Sequence, residues 1–264
     1  MTPLFFVAAG LYGLATLFYF VYLFGRGDRA LRLARWTLGG ALLVHLAMIG
    51  LLCVRQLNPL RDLRGALSLA GWLVGTGFLL TTLRTRLGAV GAFVGPLCLA
   101  LLISARLTPQ TAPPGGDAIP VLGKLHIALS AFGVATFGLA AAMALIYLFQ
   151  ERALKNRRLG LLNRRSPPLN TLDEVGRKLI LAGFPIYTLA MITGAIWVSR
   201  LPAHDGLRVE YVIAAATWLV FAGLIGARVT VGWRGNRAAV ATIVGFLATV
   251  AVLALYMVRR LMGI

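Results

Sequence analysis

Apolar residues fall in eight long blocks, at 3–25, 36–55, 66–83, 87–105, 119–149, 178–199, 209–230 and 238–258, and charged residues fall almost wholly between them. A bilayer core about 30 Å thick is crossed by about 20 helical residues at 1.5 Å each, and most of the blocks reach that length. The fourth is interrupted by Pro96 and several glycines, which a membrane helix tolerates when its neighbours satisfy the freed carbonyl. The pattern predicts an all-α polytopic membrane bundle of eight transmembrane helices. It forms one membrane domain over 1–264, with four spans in 1–110 and four in 119–264. Connections this short leave no room for a soluble catalytic domain, so function has to be built from helices and loops.

The basic residues set the orientation. With the N-terminus outside, 17 of the 26 lysines and arginines lie in inner loops, 8 of them between Arg152 and Lys178. The positive-inside rule therefore favours an N-out, C-out chain, placed in the inner (cytoplasmic) membrane. A net charge of +18 reads as topology signals and contacts to anionic headgroups of the lipid bilayer, and nucleic acid is not an expected partner. The first block is long, has no basic n-region and runs into a basic loop, so it is expected to be a retained span.

Little side-chain chemistry remains. Cys53 and Cys98 lie in separate spans, form no CxxC pair and read as packing residues. Every carboxylate lies in a loop or at a span end, which argues against a proton relay or a cation-coupled transporter. No nucleophile motif is present, and the protein is not expected to be an enzyme. A loop helix start is expected at Thr171, where Thr171 and Glu174 would form a capping box after Pro167 and Pro168, with Asp173 and Glu174 in the first turn.

The chain has three histidines, and they carry most of the remaining information. His45 lies mid-span, roughly 15 Å below the outer face, and His126 roughly 10 Å below it; His204 lies in the outer loop RLPAHDGLR. Each reads alone as a neutral imidazole hydrogen-bonded between helices. If their helices are neighbours, two imidazoles at similar depth in an apolar cleft meet the requirement for axial ligation of a haem iron. The aromatics Phe132, Phe184, Tyr187, Trp197 and Trp218 would line such a cleft between spans two, five, six and seven. Arg200 and Arg208 would pair with the propionates.

The run PPLNTLDEVGRKLILAGFPIYTLAMITGAIW from Pro167 and the run TWLVFAGLIGARVTVGWRGNRAAVATIVGF from Thr217 resemble the cytochrome c assembly protein family. LHIALSAFGVATFGLAAAMALIYL from Leu125 looks like that family's histidine-bearing helix. The family includes the haem-handling CcsA and CcmC proteins and smaller HemX- and YpjD-like relatives; eight spans and the position of His45 look most like the latter branch. The resemblance is strongest over 119–250. It implies a haem-binding membrane protein in cytochrome c-type biogenesis, with His126 matching the family's first external ligand and other assembly proteins as partners. Two departures bear on this. The external segment IWVSRLPAHDGLRVEY keeps Trp197, and Glu210 near an acidic family position, but lacks the WGxxWxWD tryptophan cluster; the last span, ending LYMVRRLMGI, lacks the second external histidine. His204 is the substitute outer ligand. An alternative from the same resemblance is a HemX-like accessory protein acting on tetrapyrrole synthesis through glutamyl-tRNA reductase, without haem transfer. A small-molecule transporter is the third reading.

Overall fold

The structure, a computed structural model, describes residues 2–25, 27–54, 58–109, 121–157, 167–199 and 209–262. Among them are eight long helices and no strand: α1 (Thr2–Phe24), α2 (Asp28–Val54), α3 (Leu63–Arg84), α4 (Gly91–Leu107), α5 (Val121–Lys155), α6 (Leu169–Ser199), α7 (Val209–Thr230) and α8 (Asn236–Met262). All eight are long and apolar enough to cross a membrane, and the chain is a multi-pass membrane protein. α4 reaches spanning length only with the 3-10 turn Gly88–Val90 that leads into it, giving 20 residues in all.

Helices outrun the apolar blocks where polar residues can leave the bilayer while remaining helical. α2 begins at Asp28 and α6 at Leu169, both well before their apolar runs. The expected capping box at Thr171 is not formed. The Pro168 carbonyl accepts from the amides of Thr171 and Leu172, at 3.0 and 3.2 Å, so the helix starts earlier and Asp173 and Glu174 lie beyond its first turn. Glu174 instead takes Arg177, with Nε and Nη2 donating at 3.0 and 2.7 Å.

Apolar attraction between helices is weak in lipid, so close approach depends on small residues. On α4, Gly91 and Gly95 recur at helical spacing facing α1: a Cβ at Gly91 would strike the Tyr19 ring, and one at Gly95 would lie 2.5 Å from Thr16 Oγ1. On α6, Gly176, Gly183 and Gly194 fall on one stripe against α5, where they meet Met143, Thr136 and His126 respectively. α5 is the central element, with 67% of its apolar window buried against 17% for α7. It packs on α3, α6 and α8, while α2 packs on α1 and α3. Two cores result. The larger joins α1 to α5 around Tyr12, Tyr19, Leu38 and Phe78. The smaller joins α5 to the last helices around Phe137, Ile180, Phe221 and Leu224.

Candidate functional site

His126 is the sixth residue of α5, about 8 Å along the helix from its start. Its Nδ1 lies 2.7 Å from the carbonyl oxygen of Ala190 on α6. A carbonyl only accepts, so Nδ1 carries the proton and Nε2 presents its lone pair. No described residue hydrogen-bonds Nε2. This is the arrangement of a metal-ligating histidine whose far nitrogen is anchored by a backbone carbonyl, which fixes both tautomer and ring orientation. Gly194, one turn past Ala190, makes it possible: a Cβ there would sit 2.7 Å from Cε1 and 2.8 Å from Nδ1 of His126. Trp197, at the same end of α6, places its ring centroid 6.0 Å from the imidazole. Its indole Nε1 is buried with no hydrogen-bond partner among the described residues. A buried donor without an acceptor, beside an imidazole with a vacant lone pair, suits an iron-bearing ligand that also carries acceptor groups. On this donor set His126 would supply the iron bond and Trp197 a donor and an apolar wall.

The other aromatic residues sit deeper and are already committed. Trp218 Nε1 donates to Thr188 Oγ1 at 2.9 Å and its ring lies 5.3 Å from Phe184. Tyr187 donates to the Ala214 carbonyl at 3.1 Å, and Phe137 stacks on Phe221 at 3.8 Å. The contacts of Trp218 and Tyr187 hold α6 against α7, and the Phe137–Phe221 stack holds α5 against α7. Phe132 is 46% exposed and faces away from the bundle.

His45 is fully buried and has both nitrogens engaged: Nδ1 with the Tyr12 hydroxyl at 3.1 Å and Nε2 with Ser68 Oγ at 2.9 Å. It ties α1, α2 and α3 together. No extensive contact joins α2 to α5, and α3 stands between them. The structure therefore brings His126 and Trp197 together and leaves His45 in a different seam. Arg200, His204 and Arg208 lie outside the described residues. No group of three or more histidine, cysteine, aspartate or glutamate side chains among the described residues forms a metal cage.

Three contacts near the ends of the bundle have no direct sign in the sequence. Glu210, whose side chain is 7% exposed, accepts from Arg259 Nη1 at 3.1 and 3.2 Å, joining α7 to α8 at the end that carries His126. At the opposite end Arg228 bonds Asp173 at 3.0 Å, and Asn236 donates to Glu151 at 2.6 Å. A search of basic residues for a carboxylate on the neighbouring helix at matching depth would have flagged both ion pairs.

The cytochrome C assembly protein family matches residues 60–264. The chain belongs to the cytochrome c assembly protein family. The match reaches from just before α3 to the end of α8, so it extends beyond the half in which the resemblance is plainest. His126 lies inside it and His45 outside it. Among similar proteins, cytochrome c biogenesis protein CcsA of Guillardia theta is 26% identical over 209 residues, covering 71% of this chain and 69% of its own. CcsA of Gloeothece citriformis (strain PCC 7424) is 24% identical over 261 residues, covering 78% of this chain and 80% of its own. Protein HemX of Bacillus subtilis (strain 168) is 25% identical over 191 residues, covering 71% and 69%. No solved structure matches.

Proposed function

We propose that this member of the cytochrome c assembly family handles haem at the outer face of the inner membrane, with His126 as iron ligand. The observation that carries this reading is the bond from His126 Nδ1 to the Ala190 carbonyl, which leaves Nε2 free to coordinate beside the unpartnered indole of Trp197. Haem is cargo here: the iron takes the imidazole, the porphyrin face takes Trp197, and Arg200 and Arg208 in the following loop pair with the propionates. His204, in that same loop, supplies the second axial ligand. His45 takes no iron in this arrangement, because coordination there would require displacing Tyr12 or Ser68. With the N-terminus outside, the start of α5, the end of α6, Glu210 and Arg259 share the outer end. The role is binding and transfer to other assembly components rather than catalysis.

The likeness to HemX supports a second reading, an accessory protein acting on tetrapyrrole synthesis, and the missing tryptophan cluster agrees with it. The two separate in cells. His126→Ala should lower covalently bound haem in c-type cytochromes under the first reading, with the protein still present in the membrane. Unchanged cytochrome haem together with altered tetrapyrrole levels on deleting the gene would favour the second.

A further inference from the structure

A cavity of about 310 Å³ opens between the end of α1, the start of α2 and the connection from α3 to α4; Tyr22, Asp28, Leu31, Arg35, Arg86 and Gly88 line it. It lies at the opposite end of the bundle from His126. Arg35 is seven residues into α2, about 10 Å from the helix start, yet its Nε is buried with no hydrogen-bond partner among the described residues. Buried donors without acceptors are uncommon, and this one belongs to one of two guanidinium groups lining the same cavity, a pairing that suits an anion.

The charges narrow its identity. Arg35 and Arg86 carry two positive charges and Asp28 one negative charge, leaving the lining with a net charge of +1. A lipid whose only headgroup charge is its phosphodiester balances this, whereas a phosphate dianion overshoots and a zwitterionic lipid brings a cationic amine along with its phosphodiester. The walls also suit an ester: Leu31 is apolar, and the cavity sits where helix ends meet the interface. We propose that this seam is a binding site for an anionic phospholipid, held by its phosphodiester between Arg35 and Arg86, at the end of the protein remote from the haem site.

The test is native mass spectrometry of the full chain in neutral detergent, supplied separately with phosphatidylglycerol, phosphatidylcholine or inorganic phosphate. The wild type should retain phosphatidylglycerol about tenfold more than phosphatidylcholine, and Arg35→Gln and Arg86→Gln should each lose about tenfold, as for a charge-assisted hydrogen bond. Arg32→Gln, on the same helix but exposed and outside the cavity, should retain it. Equal retention of the two lipids, or an equal loss in Arg32→Gln, would overturn the site. Displacement of the lipid by equimolar inorganic phosphate would overturn its assignment to lipid. If Arg35→Gln does not fold, Arg86→Gln, altered at an exposed side chain, decides the matter.

Discussion

Replacing Gly194 with alanine separates the ligand's orientation from the stability of the bundle. The new Cβ would lie 2.7 Å from His126 Cε1, and ordinary contact begins near 3.4 Å, so the ring has to retreat from α6 by about 0.7 Å. That retreat stretches the 2.7 Å bond to Ala190 to as much as about 3.4 Å, longer than the usual N–H···O range, and loosens its hold on the tautomer. Losing the bond costs about 0.5–1.5 kcal/mol, while glycine to alanine within a helix returns about 0.8–1.0 kcal/mol. The two nearly cancel, and the melting temperature in detergent should move by no more than a few degrees. Affinity for iron is not protected in this way: loss of a partner that orients a ligating histidine typically weakens metal binding about 10–100-fold. Haem titration followed by the Soret band, with thermal unfolding on the same samples, measures both. Wild-type haem affinity in Gly194→Ala would refute the anchoring argument. A collapse in stability would show instead that the glycine serves only the approach of α5 to α6.

Three further outcomes follow from the same contacts. Asp173→Asn strips the carboxylate from Arg228, whose side chain is 8% exposed and whose Nε and Nη1 already have no partner among the described residues; the cost should be about 3–5 kcal/mol. Thermal unfolding should show most of that loss recovered when Arg228→Met is added, whereas Glu174→Gln, at a solvent-screened exposed pair, should leave the melting temperature near the wild-type value. Tyr12→Phe leaves His45 Nδ1 buried without its partner and should destabilise by about 1–3 kcal/mol while haem affinity stays as in the wild type; a selective loss of haem would assign His45 to the cofactor. In a Cys53→Ser background, which removes the exposed native thiol, Asp205→Cys should react with an impermeant maleimide added outside and Asn163→Cys should not. The reverse pattern would invert the N-out orientation.

The spans were legible because bilayer thickness imposes one length on every helix, and apolar runs report it directly. Helix starts were less legible: Leu169 and Asn170 extend α6 past the expected cap because Pro168 already provides the first carbonyl acceptor. The depths of His45 and His126 could be read from the sequence, but depth does not give adjacency. Adjacency in this bundle is set by glycine stripes such as Gly183 and Gly194 on α6, whose partner helix a single sequence does not name. The same limit hid Ala190, since a backbone carbonyl has no residue-type signature. His126 could be singled out because an ionisable imidazole is costly in lipid unless it has a partner or a ligand, and Trp197 because it is the tryptophan retained in the family-like external segment.

Ligation of haem iron by His126 Nε2 is decided by the absorption spectrum of the detergent-purified protein after haem addition, oxidised and reduced. Sharp reduced bands of histidine-ligated haem should appear, be lost in His126→Ala and be kept in His45→Ala. An unchanged spectrum of added haem, or bands that survive in His126→Ala, would rule out ligation by His126.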